Sequence, residues 1–166
     1  MRFKSSLFLL LVAVLVSAFY VSAPARFPSL ADGLVFQNID GQQQHFADLR
    51  GKPLLVTFWS PSCVICMHEV PDLNQLYQVH RGGEAFELLG LTMSYDRPDV
   101  ILQTRQRAGM QYPVYLDLHN ELASAFGDVT ATPTSFLIDA DGEIVYRHSG
   151  KLDFTLLNDK LKKLIG

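Results

Sequence analysis

The sequence predicts an α/β domain, a central mixed β-sheet flanked by helices, and three observations carry that expectation. Short apolar runs rich in β-preferring residues, such as Leu54–Trp59 and Phe86–Met93, alternate with segments whose apolar residues recur at helical spacing. Thr134–Asp139, the turn dipeptide Asp141-Gly142 and Glu143–Arg147 make a strand–turn–strand pattern, which gives the sheet an antiparallel edge. The 166 residues, 48% hydrophobic with a formal net charge of −3, suit one compact domain plus a short appendage. That charge balance offers no basic surplus to a nucleic acid.

The appendage comes first. Met1-Arg2-Phe3-Lys4 precedes an uncharged stretch from Ser5 to Ala25 that is almost wholly aliphatic between Leu7 and Val16. At about 1.5 Å per residue this stretch reaches roughly 30 Å, enough to cross a bilayer, so it reads as an export signal or a membrane anchor. Ala23-Pro24-Ala25 offers small residues for cleavage, but the proline makes neighbouring cut sites awkward, and an uncleaved anchor over residues 1–25 is the preferred reading. Arg2 and Lys4 then stay inside and the rest of the chain faces out. Residues 26–32, with Pro28, form a tether, and residues 33–166 form the domain.

Within the domain, Leu34-Val35-Phe36 and His45-Phe46 flank Asp40-Gly41, the pattern of a β-hairpin. Leu54–Trp59 follows as a buried strand after the Gly51-Lys52-Pro53 break. Met67, Val70, Leu73, Leu76 and Tyr77 then mark a helix that Gly82-Gly83 ends. A strand over Phe86–Met93 leads to a helix from about Pro98 to Ala108, with Asp96 as its candidate cap. Tyr112–Leu116 reads as a short strand and Asn120–Phe126 as a short helix. A closing helix from about Asp153 carries Leu157, Leu161 and Leu164 on one face.

The only two cysteines, Cys63 and Cys66, stand two residues apart where the strand gives way to the helix. The first turn of a helix holds unpaired N–H groups and the positive end of its dipole, and both favour a thiolate. Cys63, at the helix mouth, is expected to be the exposed nucleophile. Cys66, nearly one turn further in, is expected to be the shielded resolving thiol of a Cys63–Cys66 redox disulfide. A zinc site would need two further ligands, and His68, His80, His119 and His148 lack ligand spacing. A purely structural bridge across so short a loop would constrain the unfolded chain little. The chemistry therefore needs no metal or other cofactor. Pro133 opens a central strand without a ladder N–H, and the pattern alone leaves the Thr132–Pro133 bond open between trans and cis.

These residues resemble the thioredoxin fold: Trp59-Ser60-Pro61-Ser62-Cys63-Val64-Ile65-Cys66, Pro71 five residues later, and Ala131-Thr132-Pro133-Thr134 before a strand. Asp40-Gly41, Leu49–Pro53, Cys66-Met67-His68-Glu69-Val70-Pro71 and Thr134–Asp139 with Gly142 are similar to the TlpA, ResA and DsbE branch, thiol-disulfide oxidoreductases of the bacterial envelope within the redoxin, or AhpC/TSA-like, superfamily. The resemblance spans about Gly33 to Ile165. It implies a cis Pro133, a kink at Pro71, an inserted helix and strand between about Arg97 and His119, and a client groove at Trp59, Thr132 and Pro133. It also implies a periplasmic domain held at the inner membrane by residues 5–25, or a soluble periplasmic one if the leader is cleaved. Two departures stand out. Ser62 replaces the aromatic residue that usually precedes the first cysteine, which would widen the groove, and Val64-Ile65 supplies neither proline nor histidine between the cysteines.

A strong oxidant stabilises its thiolate form, and Val64-Ile65 brings no charge to do so, so the direction expected is reduction. Glu69, three residues after Cys66 on the same side of the helix, is the candidate proton carrier, in keeping with the branch. The buried aspartate that thioredoxin carries on the preceding strand is replaced by Thr57. A solvated surface glutamate is the alternative reading of Glu69. An extracytoplasmic reductant needs electrons passed across the membrane, and the family implies a DsbD- or CcdA-like integral donor. Its clients would be disulfide-containing envelope proteins, such as an apocytochrome, a copper-handling protein or an oxidative-stress client. Three rivals remain: a weak envelope oxidase using the same cysteines in reverse, a peroxiredoxin-like antioxidant, and a copper chaperone using both thiolates with His119 or His148.

Overall fold

The computed structural model describes residue 30, residues 32–81 and residues 85–166. Residues 1–29, and with them the anchor and most of the tether read from the sequence, lie outside the described residues. Among the described residues no helix is long and apolar enough to cross a membrane.

The chain builds one seven-stranded sheet. Strands β1 (Val35–Asn38) and β2 (Gln43–His45) form the expected hairpin, and a single 3-10 turn, Phe46–Leu49, leads to β3 (Leu54–Trp59). Helix α1 (Val64–Arg81), strand β4 (Glu87–Thr92), helix α2 (Pro98–Ala108) and strand β5 (Val114–Leu116) follow. The chain closes with α3 (Glu121–Ala125), β6 (Thr134–Ile138), β7 (Ile144–Ser149) and α4 (Phe154–Ile165). The strand order is β2-β1-β5-β4-β3-β6-β7, with β3, β4 and β5 parallel and both flanks antiparallel. This is the mixed sheet with an antiparallel edge that the alternating pattern predicts, in the thioredoxin-like order that the resemblance implies.

Side chains alternate strictly across β3, and the two faces sort into two cores. Leu54, Val56 and Phe58 join Leu89, Leu91, Phe136 and Ile138 on one face, where Phe58, Phe126 and Phe136 stack edge to face. Leu55 and Trp59 join Leu88, Leu137 and the apolar sides of α1, α2 and α4 on the other. The central strands are buried on both faces, which is why their sequence runs are continuously apolar.

Several local expectations are corrected. Leu30, placed in the tether by sequence, is 3% exposed in the first core, and Asp32 pairs with Arg50, so the folded unit includes the end of that tether. Asp96 does not cap α2. Arg97 holds the cap position without a side-chain bond, and the Asp96 carboxylate turns to Ser60 instead. The short helix starts at Glu121, and its free N–H groups are met by a residue further back: buried Asp117 accepts from Leu122 and Ala123 at 3.0 and 2.8 Å. The closing helix is capped as its sequence suggests, with Asp153 accepting from Thr155 and Leu156.

Candidate active site

The site forms at one end of the sheet. Register pairs Trp59 with Thr92, Phe58 with Thr134, and Thr134 with Ser149. The chain leaving β3, the chain leaving β4, the chain entering β6 and the chain leaving β7 therefore all meet at the carboxyl edge of the parallel strands, the usual place for a site in such a sheet.

From β3 the chain turns through Ser60-Pro61-Ser62 into α1. The Cys63 N–H donates to the Ser60 carbonyl at 3.0 Å, and the Cys63 carbonyl accepts from Met67 N–H at 3.2 Å, closing the first helical turn. Cys63 thus occupies the cap position. Its sulfur stands where a capping serine would place oxygen, accepting from the Cys66 N–H at 3.1 Å. Cys63 and Cys66 are joined in a disulfide with their Cα atoms 5.3 Å apart. Their surroundings differ. Cys66 is 4% exposed among Trp59, Val70 and Tyr112, whereas Cys63 is partly open to solvent beside exposed Val64 and Ile65.

Trp59 does not line a client groove. It is 2% exposed because β3 is covered on both faces, and its ring packs in the second core with Cys66. Its Nε1 finds no hydrogen-bond partner among the described residues. A Cβ added to Gly90 would meet Tyr112 at 3.0 Å and Trp59 Nε1 at 3.1 Å, so this glycine is what lets the two rings close over β4.

Glu69 is a core residue, 1% exposed, and the reading of a solvated surface glutamate is set aside. Its Oε1 accepts from the Leu152 N–H at 2.5 Å, an anchor supplied by the segment between β7 and α4 that no local pattern announces. Burial pushes its carboxyl above the ordinary glutamate range. The Leu152 bond and the nearby His148 and Lys151 oppose that rise, and Asp72 adds to it. Glu69 in turn raises the already buried phenol of Tyr112, which shares the core with Cys66. Thr57 contributes no charge: its hydroxyl, 2% exposed, accepts from Ser135 across the sheet at 3.0 Å.

At the facing edge, the Thr132–Pro133 peptide is cis. The Pro133 carbonyl accepts from Gly150 N–H at 2.8 Å, which ties this turn to the end of β7, and the Thr134 hydroxyl donates to the Ala131 carbonyl at 2.8 Å, which closes the turn on itself. Thr132 is half-buried and Pro133 buried.

The sequence reading missed one polar group. Asp96, after β4, accepts from the Ser60 hydroxyl at 2.9 Å, and the Ser60 hydroxyl lies 3.0 Å from that of Ser62. Two serines flanking a proline just ahead of the first cysteine were the available signal. The partner, 36 positions away, was not.

Comparison with known proteins agrees with this geometry. Residues 27–147 match the AhpC/TSA family. The thiol-disulfide oxidoreductase ResA of Bacillus thuringiensis (strain Al Hakam) is 30% identical over 135 residues, 81% of this chain and 76% of the relative. That of Geobacillus thermodenitrificans (strain NG80-2) is 29% identical over 116 residues, 70% of this chain and 65% of the relative. A thioredoxin-family thiol:disulfide interchange protein from Chlorobium tepidum TLS superposes with a TM-score of 0.73 at 28% identity, covering 87% of this chain and all of that one. A thioredoxin-like sheet with a close cysteine pair at a helix mouth, found together with these relatives, means that the chain belongs to the AhpC/TSA family and, within it, to the ResA-type thiol-disulfide oxidoreductases.

Proposed function

We propose that this oxidoreductase reduces disulfides in proteins of the bacterial envelope, with Cys63 as nucleophile, Cys66 as resolving thiol and Glu69 as the proton carrier for Cys66. The observation that carries the reading is the asymmetry of the pair: one sulfur partly open at a helix cap, the other buried, with a buried carboxyl one helical turn further along. In the reduced protein, the Cys63 thiolate attacks one sulfur of a client cystine. A Cys63–client bond forms, and the other client sulfur leaves as a thiolate that takes up a proton. Cys66 then gives its proton to the Glu69 carboxylate and attacks Cys63. The Cys63–Cys66 disulfide closes, the second client sulfur leaves as a thiolate that takes up a proton as the first did, and two electrons have passed from the protein to the client. The client's backbone lies along the edge at Thr132 and Pro133, where an extended segment can pair with the chain.

The apolar, uncharged stretch 5–25 after Arg2 and Lys4 supports an inner-membrane anchor over residues 1–25 and a tether from 26 to about 29, with the domain in the periplasm. A reductant in that compartment draws its electrons from an integral-membrane dithiol donor of the DsbD or CcdA type. The clients are disulfide-containing envelope proteins, with apocytochromes, copper-handling proteins and oxidative-stress clients as the classes to search. The exposed, uncharged Val64 and Ile65 favour reduction over the weak-oxidase reading, because neither side chain stabilises a thiolate.

Cys66→Ala in living cells is the direct test. It should accumulate mixed disulfides between Cys63 and clients, while Cys63→Ala should trap none and lose disulfide reduction altogether. Capture by Cys63→Ala instead would reverse the assignment. A reduction potential at or above about −180 mV, the range of disulfide isomerases, would overturn the reductant reading.

A further inference from the structure

The turn that presents Cys63 carries a chain of hydroxyls ending in a carboxylate. Ser60 donates its one hydroxyl proton to Asp96 Oδ1 at 2.9 Å. Toward Ser62 it can then only accept, so the Ser62 hydroxyl, 3.0 Å away, donates to it, and the Ser62 N–H points to the same oxygen at 3.4 Å. The Ser60 carbonyl in turn holds the N–H of Cys63. Every link from Asp96 to the residue bonded to Cys63 is therefore accounted for. The other carboxylate oxygen, Oδ2, is buried without a partner among the described residues, an uncommon arrangement for a charged group.

We propose that Asp96 is a positioning residue for disulfide exchange: acting through Ser60, its carboxylate fixes the direction of the hydroxyl chain and holds the Ser62 proton away from the Cys63 thiolate of the reduced protein. The inference deepens the reductant reading and rests on it. A thiolate at the helix mouth keeps the Cys66 N–H but gains no help from the serine beside it, and it faces a fixed negative charge through two hydroxyls. Both effects raise the free energy of the reduced form and make the dithiol a better electron donor. Burial drives the Asp96 carboxyl above the usual aspartate range, with the bonds from Ser60 and Met93 opposing the rise. The groups facing it are Ser60, Pro61 and Ser62 from the β3–α1 turn, all neutral, Tyr95 and Arg97 from its own loop, and Val100 of α2. The Arg97 guanidinium is engaged by Asp99 at 3.1 and 2.8 Å.

The test uses the reduced full chain and two substitutions, Asp96→Asn and Ser60→Ala. The first removes the charge, and the second breaks the chain while leaving the carboxylate. The pH dependence of Cys63 alkylation gives its apparent pKa, equilibration with glutathione gives the potential, and thermal melting reports folding. Both variants should raise the thiolate-to-thiol ratio of Cys63 about threefold or more, half a pKa unit, and shift the glutathione equilibrium toward the reduced protein in the same proportion. A residue that merely braced the turn would act in the opposite sense, since a loosened helix mouth supports a thiolate less well. An unchanged or raised Cys63 pKa in both variants overturns the proposal. If Asp96→Asn does not fold, Ser60→Ala alone decides. An oxidising wild-type potential that rises further in the variants overturns the reductant reading and leaves the role of Asp96 standing. A reducing potential that neither variant moves does the reverse.

Discussion

At the scale of single residues, two sulfurs and two carboxyls stand in surroundings that differ. Cys63 and Cys66 were legible because adjacency in sequence fixes their adjacency in space. Glu69 was legible only as a position on a helix face, because its burial depends on Leu152, 83 residues away. That burial has a pH signature. The folded state holds the Glu69 proton more tightly than the unfolded chain, whose value lies near 4.5. Below that value both states are protonated and the residue is neutral to stability. As pH rises from 4.5 through the folded value, the ionised form is penalised only in the folded state and stability falls. Glu69→Gln keeps a carbonyl oxygen for Leu152 and cannot ionise. It should melt with the wild type in acid and above it at neutral pH, the gap opening as pH rises through that window. The same substitution should slow exchange on the order of a hundredfold, at the low end of general acid–base effects. Equal melting temperatures at all pH values, or an unaltered pH–rate profile, would count against a buried, proton-carrying Glu69.

At the scale of elements, long periodic segments read well and short ones did not. Strands β3, β4 and β6 announce themselves because their apolar residues serve two cores at once, and helix α1 because its apolar residues recur at helical spacing on the one face that joins the second core. The short helix α3 was started one residue early because its cap, Asp117, precedes it by four positions and resembles an ordinary loop acid. Trp59 belongs to no groove, although the resemblance implies one there beside Thr132 and Pro133. Its strand, buried on both faces, makes it a packing residue instead. Gly90 had no sequence signal at all. Its missing side chain leaves room for Tyr112 and Trp59, and Gly90→Ala should lower stability by about 1–3 kcal/mol through overpacking, read as a shift in the denaturation midpoint. A midpoint equal to that of the wild type would mean the two rings move apart at little cost.

At the scale of the whole molecule, the sheet order explains why distant segments share one site. Parallel β3 and β4 end side by side, antiparallel β6 begins there and β7 ends there, so residues from 59 to 152 converge without any long-range sequence motif. The fold class was legible because alternation of strands and helices leaves few arrangements that bury every apolar face. The hydrogen-bonded partners at the site were not, since they depend on register between segments that no local pattern relates.

Site-resolved alkylation of the reduced full chain by iodoacetamide, followed by mass spectrometry across pH, probes the division of labour between the two sulfurs most directly. Cys63 should label at least about tenfold faster than Cys66 and titrate below the ordinary cysteine value of roughly 8.5. Equal labelling of the two, or faster labelling of Cys66, would contradict the assignment of Cys63 as the nucleophile at the helix mouth.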